Sequence, residues 1–356
     1  MHLFSPLTLR DVTFPNRIGI SPMCQYRAHG GLANDWHLVH LGSRAVGGAG
    51  MVMVEATAVE ERGRITLGDM GLWTDAHAEP LARIARFLVA QGSVPAIQLA
   101  HAGRKGSTRI PWEGSGALPL EQGGWIPVAP GTEAFSPPYP VPTALTTEDL
   151  RAVVQAFAEA GRRALAAGFR VLEVHAAHGY LLHEFYSPLS NFRQDGYGGS
   201  FENRTRLLRE VVAALRALDD GFALFVRVSA TDWTPGGWTG DDTVALARTL
   251  KAAGVDCLDC STGGNVPDTK IPLGPGYQVP FAERVRKEAR LASAAVGLIT
   301  DPAQAQQILA DGQADLVLLA REALRDPYFA LHAASELGAD VAWPVPYERA
   351  RPRPTR

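Results

Sequence analysis

The sequence has few cysteines, no long apolar run and no strong excess of charge of either sign. Its three cysteines, Cys24, Cys257 and Cys260, form an odd and sparse set in 356 residues, which fits reduced thiols in the cytosol better than disulfides. No stretch reaches membrane-spanning length without a charged or turn residue. Residues 1–14 lack the basic start and the apolar run of a signal peptide. We therefore expect a cytoplasmic protein.

Charged residues are nearly balanced, with a formal net charge of −3 and both signs interspersed along the chain. No basic block predicts nucleic-acid binding, and no polybasic patch predicts binding to a membrane surface. Hydrophobic residues make up 46% of the chain, which is ample for a large core. The length would allow two domains, but α/β barrels of this size often form a single one.

Short apolar runs alternate with longer amphipathic helical patterns from one end of the chain to the other. The predicted strands are residues 18–23, 51–59, 95–100, 171–177, 223–230, 257–261, 295–299 and 315–321. The predicted helices are residues 36–46, 77–91, 147–167, 202–217, 241–253, 280–289, 302–310 and 327–336. Strand followed by helix, repeated eight times, predicts the α/β class and a closed (β/α)8 TIM barrel. A doubly wound open sheet is the alternative.

Three segments do not fit the repeat. Residues 4–14 resemble a short hairpin that could cap the bottom of the barrel. Residues 103–142, rich in Gly, Pro and Trp, form a long loop after strand 3 on the rim where barrel loops carry substrate contacts. We therefore predict one barrel over residues 1–343 and a separate, non-helical tail over residues 344–356.

In the third predicted helix, Thr147 can cap the start and Gly168 can end it.

The densest group of reactive side chains follows the fourth strand, in His175-Ala-Ala-His178-Gly-Tyr180. Two imidazoles and a phenol can act as two hydrogen-bond donors and one acid, which is what reducing an activated alkene requires. A structural role for both histidines is the plainer interpretation. A metal site of a barrel hydrolase, with His175, His178 and His183 as ligands, is a further alternative, and a non-catalytic binding barrel is a third.

Gly297 and the pair Ala320-Arg321 end the last two predicted strands, where barrels commonly bind a phosphate. Glycine lets backbone N–H groups approach a phosphate, and arginine supplies a bidentate charge, although Arg321 could instead pair with a helix carboxylate. No G-x-G-x-x-G follows a strand, which disfavours a resident dinucleotide. One mononucleotide site points to FMN.

The lone C-x-x-C of Cys257 and Cys260 lies on a strand, where residues three apart face opposite sides, so we interpret it as core packing.

Several long motifs resemble the old yellow enzyme family across essentially the whole chain. They are Ser21-Pro-Met-Cys-Gln-Tyr26, Gln98-Leu-Ala-His-Ala-Gly-Arg-Lys105, His175-Ala-Ala-His-Gly-Tyr-Leu-Leu-His-Glu-Phe185, Ser187-Pro-Leu-Ser-Asn-Phe-Arg193 and Tyr197-Gly-Gly-Ser-Phe-Glu-Asn-Arg204. Cys24 with Tyr26, and the ending Tyr347-Glu-Arg349, are similar to the thermophilic-like subgroup. No cysteine cluster or second flavin domain follows the barrel, which argues against the larger iron–sulfur dienoyl-CoA reductase relatives.

The resemblance implies a role for each matching residue. Those expected to surround the FMN isoalloxazine are Pro22, Met23, Cys24, Ala56, Gln98 and Arg227. Arg227 would place positive charge near N1 and O2, and Cys24 would tune the flavin potential. Gly297, Ala320 and Arg321 would hold the phosphate, although the family usually has Gly where Ala320 stands.

For the substrate, the resemblance implies that His175 and His178 bind the carbonyl and that Tyr180 donates a proton. Tyr26 would line the pocket, Lys105 would lie at its rim, and Arg349 would act as an arginine finger in a neighbouring subunit. The implied activity is reduction of activated C=C bonds of α,β-unsaturated carbonyl compounds. Hydride would pass from FMN N5 to Cβ, with NADPH (or NADH) as the transient donor. A homodimer or homotetramer with shared active sites is also implied.

Overall fold

A closed barrel of eight parallel strands forms the centre of the computed structural model, which describes residues 1–352. The strands are β1 Ile18–Ile20, β2 Met51–Ala58, β3 Val94–Ala100, β4 Val171–Ala176, β5 Ala223–Ser229, β6 Cys257–Ser261, β7 Ala292–Ala295 and β8 Leu316–Leu319. Each strand pairs with the next, and β1 pairs with both β2 and β8. This closure confirms the (β/α)8 barrel and rules out the open doubly wound sheet.

The barrel strands are buried along their whole length, apart from the first residue of β7. Helices cover the outer face and side chains fill the interior, so nearly continuous apolar runs form these strands. A few charged residues interrupt the runs, namely Glu55 in β2, Glu173 in β4, Arg227 in β5 and Asp259 in β6. A charge in a strand buried on both faces needs a partner, and these four residues have partners near the candidate site.

Helices follow the strands on the outside of the barrel. They span Asp35–Val46, Ala78–Ala90, Thr147–Ala166, Leu181–Tyr186, Phe201–Arg204, Arg206–Arg216, Gly240–Ala252, Val279–Arg284, Pro302–Ala310, Arg321–Arg325 and Phe329–Glu336. The helix Thr147–Ala166 buries Leu150, Val153 and Phe157 on one face, as its amphipathic pattern predicts. Its cap is Thr146, not Thr147: Thr146 Oγ1 accepts from the Asp149 N–H at 3.2 Å, and the Asp149 carboxylate accepts from the Thr146 N–H at 2.9 Å.

Several predicted boundaries are wrong. Strand β7 ends at Ala295 rather than spanning residues 295–299, because Gly297 and Leu298 have φ of +122° and +51°, which a strand does not permit. The predicted helix 202–217 is divided at Thr205, and the predicted helix 280–289 continues past Arg284 as a π-helical turn. The last predicted helix begins at Phe329, after a separate turn of helix at Arg321–Arg325.

The predicted N-terminal hairpin is confirmed, with strands Leu7–Leu9 and Val12–Phe14. Phe14 is fully buried and its ring lies 6.1 Å from that of Phe225, in a core formed by the beginnings of the strands. The hairpin therefore closes the bottom of the barrel. Nearby, Arg17 Nη1 donates to the carbonyl oxygen of Asp315 at 2.9 Å, across a sequence separation of 298 residues.

The long loop and the tail carry little regular structure. The loop contains 3₁₀ turns at Gly103–Lys105 and Leu120–Gln122, and its strand Val128–Ala129 pairs with Thr143–Ala144. The tail, which we predicted to be non-helical, forms a 3₁₀ turn at Val345–Ala350. The last part of the predicted tail, residues 353–356, lies outside the described residues. Within residues 1–352, no helix is both long and apolar enough to cross a membrane.

Candidate active site

A cavity of about 270 Å³ opens at the carboxyl ends of the strands. The predicted site residues that line it are Pro22, His178, Arg227, Gly297, Ala320 and Arg321. Two others, Ala56 and Tyr180, line a second and much smaller space. Residues that are far apart in the sequence thus meet at one end of the barrel, as the parallel topology requires.

His175, His178 and Tyr180 form a compact cluster at the end of β4. The ring of His175 lies 5.2 Å from that of His178 and 5.0 Å from that of Tyr180, edge to face in both cases. His178 has φ of +60°, a left-handed conformation that non-glycine residues rarely adopt. Its N–H donates to Ser229 Oγ at 2.9 Å, and this contact helps to hold the strained turn.

Hydrogen bonds indicate which ring nitrogen of each histidine carries the proton. His175 Nδ1 accepts from the Ala177 N–H at 3.3 Å, so the proton of a neutral ring lies on Nε2. His178 Nε2 lies 2.7 Å from Ser261 Oγ, which is also 3.3 Å from Gln278 Oε1. The amide oxygen of Gln278 can only accept, but 3.3 Å is long for an O–H···O bond, and this oxygen already accepts from Thr262 Oγ1 at 2.7 Å. We therefore assign the Ser261 proton to the bond with His178, whose own proton is then on Nδ1.

The cluster is electrically neutral. Burial lowers the pKa of His175 and that of His178 well below the usual value, and Arg227 lowers both further. Burial raises the pKa of Tyr180 well above its usual value, with Cys24 and Tyr26 adding to the effect. At neutral pH the site therefore offers two uncharged imidazole donors and one un-ionised phenol.

Cys24 and Tyr26 follow β1 in a segment that β2 holds in place. Strand β2 has an irregularity between Val54 and Ala56, and the Glu55 carboxylate accepts from the Gln25 N–H at 2.7 Å. Burial, followed by the charges of Glu55 and Asp69, raises the pKa of the Cys24 thiol well above its usual value. Cys24 is thus a thiol, not a thiolate, at neutral pH.

His183 does not join the other two histidines. Its Nδ1 accepts from the Gly179 N–H at 2.9 Å, and its Nε2 donates to Asp232 Oδ1 at 2.9 Å. Both nitrogens are therefore occupied by structural hydrogen bonds, and the ring stacks on Tyr186 at 4.7 Å. The three-histidine metal site of a hydrolase is inconsistent with this geometry.

Lys105 reaches the rim but contacts the backbone. Its ammonium donates to the carbonyl oxygens of His178 at 2.8 Å and Gly264 at 3.0 Å, and lies 5.3 Å from the centre of the Tyr180 ring. Burial lowers its pKa to about 8, while Glu184 acts in the opposite direction. Lys105 thus ties the loops after β4 and β6 together next to the phenol.

Arg227 lies at the end of a buried polar network. Its Nη2 donates to Ser21 Oγ at 2.7 Å and its Nε to Asp259 Oδ2 at 2.5 Å. Glu173 Oε1 lies 3.8 Å from the same Nε and accepts from Gln98 Nε2 at 2.7 Å. The predicted flavin residues Gln98 and Arg227 are therefore joined through carboxylates that the sequence analysis did not assign to the site.

The other end of the cavity can accept a phosphate. Gly297 needs to be glycine: its φ is +122°, and an added Cβ would lie 2.8 Å from Gln278 Nε2. Arg321 pairs with no carboxylate in the described part of the chain, although its neighbour Arg325 pairs with Glu322. The φ of Ala320 is −107°, so the departure from the family's glycine requires no left-handed backbone. These residues fit the phosphate of FMN.

Arg349 lies away from this group of residues. It is exposed, within the 3₁₀ turn Val345–Ala350, and among residues 1–352 it has no hydrogen-bond acceptor. The nearby ring of Tyr347 lies 6.2 Å from that of Tyr328. The structure of one chain therefore leaves the predicted arginine finger untested.

The barrel and its phosphate cradle, next to neutral donors and an acid, define the class as a flavin oxidoreductase. Comparison with protein families gives a match over residues 2–340 to the NADH:flavin oxidoreductase / NADH oxidase family. The chain belongs to this family, and the predicted old yellow enzyme relationship is confirmed. The protein is therefore an FMN-dependent enzyme that uses NAD(P)H.

Similar proteins agree with this conclusion. The chain is 49% identical to an NADPH dehydrogenase of Geobacillus sp. (strain WCH70) and 47% identical to one of Bacillus subtilis (strain 168), over 98% of each chain. Among solved structures, morphinone reductase superposes with a TM-score of 0.80 at 27% identity, covering 96% of this chain and 90% of that one. A 2-naphthoyl-CoA reductase has a TM-score of 0.85 at 26% identity, but this chain covers only 52% of it.

Several residues that contact the predicted site were missed from the sequence. Glu55, Glu173 and Asp259 are charged residues in otherwise apolar, buried strands, and that signal could have identified them. Ser261 ends β6 at the catalytic rim, where its hydroxyl meets His178. A serine at the end of a strand gives little sequence signal.

Proposed function

We propose that this flavin oxidoreductase reduces activated C=C bonds of α,β-unsaturated carbonyl compounds. The observation that supports the proposal is the neutral cluster of His175, His178 and Tyr180, in which the His175 ring lies 5.2 Å from that of His178 and 5.0 Å from that of Tyr180. As the β-carbon is reduced, negative charge develops on the carbonyl oxygen, and preorganised donors aimed at that oxygen lower the barrier. An un-ionised phenol can then supply a proton to the neighbouring carbon.

The protein's own residues would act in sequence on a bound enone. The N–H groups of His175 Nε2 and His178 Nδ1 would hold the carbonyl oxygen, and Tyr180 would transfer its phenolic proton to Cα. Tyr26 would line the pocket, while Lys105 would stabilise the turn that carries His178. FMN, when bound, supplies the hydride that reaches Cβ. NADPH or NADH would use the same cavity in turn with the alkene.

The residues proposed to hold FMN form two groups. The first group, placed around the ring, comprises Pro22, Met23, Cys24, Ala56, Gln98 and Arg227. The second group, placed around the phosphate, comprises Gly297, Ala320 and Arg321. The family match to residues 2–340 supports one FMN-binding barrel over residues 1–343. A cytoplasmic location remains a prediction.

The tail is proposed to complete the site of a second subunit. Arg349 is exposed and follows Tyr347, in the arrangement that the family resemblance associates with an arginine finger. A planar guanidinium can stack on a ring and donate to a carbonyl oxygen at once. The smallest competent assembly would then be a homodimer, or a homotetramer built from such pairs.

Tyr180→Phe tests the proposed reaction. We expect this variant to slow alkene reduction by one to two orders of magnitude while the reduction of the flavin by NADPH keeps its rate, because only the alkene step needs the phenolic proton. Stopped-flow measurement separates the two half-reactions. Tyr26→Phe removes another phenol of the same pocket and serves as the matched control. Equal loss in both half-reactions of Tyr180→Phe would show that Tyr180 is not the specific acid.

A further inference from the structure

Two buried carboxyl groups lie next to Arg227, and if both were ionised their two negative charges would exceed its single positive charge. Glu173 and Asp259 are both 0% exposed, on β4 and β6, the strands on either side of β5. The charged or polar groups facing Glu173 are Arg227, Asp259 and the neutral Gln98. If both carboxyls were ionised, one guanidinium would face two fully buried negative charges, at a large desolvation cost.

The hydrogen bonds show where a proton is needed. Glu173 Oε1 accepts from Gln98, and Asp259 Oδ2 accepts from Arg227. The remaining oxygens, Glu173 Oε2 and Asp259 Oδ1, are fully buried and receive no donor from the protein. Both carboxyl groups meet at one nitrogen, because Glu173 Oε1 lies 3.8 Å and Asp259 Oδ2 lies 2.5 Å from Arg227 Nε. Two neighbouring carboxylates cannot hydrogen-bond to each other without a proton, and a proton held by the pair would supply a donor where the protein supplies none.

We propose that Glu173 and Asp259 share one proton and serve as a positioning pair that leaves Arg227 its full positive effect on the flavin site. With one proton, the group of three has no net charge and its positive end, the guanidinium, lines the cavity. With no proton, the group would carry a net negative charge, which would oppose the anionic reduced flavin. The proton resides mainly on Glu173, because Asp259 has the shorter contact with Arg227.

The ionisation tendencies agree with this geometry. Burial raises the pKa of Glu173 well above its usual value, and Asp259 raises it further while Arg227 acts in the opposite direction. Burial also raises the pKa of Asp259, but the direct contact with Arg227 opposes that rise. Burial tends to lower the pKa of Arg227, yet Asp259 and Glu173 outweigh this effect and keep it charged.

Glu173→Gln is the informative variant, since glutamine reproduces the protonated acid. Its amide oxygen can accept from Gln98 while its NH₂ donates to Asp259. Infrared difference spectra of wild type minus Glu173→Gln, recorded with and without FMN, should contain the C=O band of a protonated carboxylic acid, which shifts in D₂O. Other buried acids, such as Glu184, cancel in the difference. Loss of ionised carboxylate bands alone would overturn the shared proton.

The flavin potential tests the link to Arg227, which rests on the proposed function. We expect Glu173→Gln and Asp259→Asn each to keep a midpoint potential near that of wild type, because the remaining carboxyl then carries the single negative charge that balances Arg227. Only the double variant Glu173→Gln with Asp259→Asn removes that charge, and it should raise the potential. An equal rise in the two single variants would mean that both carboxyls are ionised in wild type, and would overturn the proposal. If the double variant also keeps the wild-type potential while the infrared band is present, Arg227 does not act on the flavin, and only that part of the proposal is overturned. Should Asp259→Asn not fold, the infrared band and the potential of Glu173→Gln still decide.

Discussion

Replacing His175 and His178 together by alanine removes the two ring N–H groups that we place against the substrate oxygen. A phenol is a convenient probe, because its ionised oxygen resembles the enolate oxygen formed during alkene reduction. A hydrogen bond to a charged group contributes about 1.5–3 kcal/mol, so each lost imidazole should weaken binding roughly 10- to 150-fold. The two rings are in contact, at 5.2 Å, and their contributions will not add fully. We expect roughly 100- to 1000-fold weaker binding in the double variant.

The assay is a titration of the FMN-loaded enzyme, followed by the charge-transfer absorbance of bound phenolate. Burial holds the pKa of both histidines well below the usual value. A plot of affinity for the phenolate form against pH should therefore show no change of slope near the ordinary histidine pKa of about 6.5. His332→Ala, an exposed histidine that pairs with Asp326 on the outer surface, is the control and should bind like wild type. Unchanged affinity in the double variant, at equal FMN content, would refute the carbonyl-anchor role.

Three further predictions concern the support of the site. Ser261→Ala should weaken phenol binding by roughly fivefold, about 1 kcal/mol, because the hydroxyl fixes the tautomer of His178; an unchanged dissociation constant would contradict that assignment. Burial raises the pKa of Glu184 to about 8, with Arg104 opposing, so the folded state holds a proton that the unfolded state releases above pH ~4.3. The free energy of unfolding should therefore fall as pH rises from about 5 to 8, by up to ~1.4 kcal/mol per unit, and urea titration of Glu184→Gln should lack this slope. Truncation before Tyr347 should raise the KM for the alkene without changing FMN content or melting temperature; full activity in a monomer would show that the tail has no role.

The overall fold was predictable because its signals are local and repeat. Apolar runs and amphipathic patterns recur eight times, so errors at single boundaries do not change the topology. The error at β7 has a clear cause: Ala292–Ala295 is made of small residues with weak strand preference, whereas the following Val-Gly-Leu-Ile looks more like a strand. The left-handed backbone of Gly297 and Leu298 prevents these residues from continuing the strand.

The site was predictable in its residues but less so in its contacts. The cluster after β4 lies within one short segment, so its composition could be read directly. The bond between His178 and Ser261 joins β4 and β6, which are not adjacent, and depends on the curvature of the whole barrel. The contacts of Lys105 were not predictable either. The sequence places Lys105 at the rim, but it does not indicate the hydrogen bonds to the carbonyl oxygens of His178 and Gly264.

Closure of the barrel between β1 and β8 has a consequence for how the chain folds. Ile18 pairs with Val317, and Arg17 reaches Asp315 across 298 residues of sequence. During synthesis the N-terminal strand therefore waits with one edge unpaired until nearly the whole chain has emerged, and exposed strand edges favour association with other chains. Contacts of such long range also make folding slow. The pairing of β1 with β8, which closes the barrel, can therefore form only at the end of synthesis.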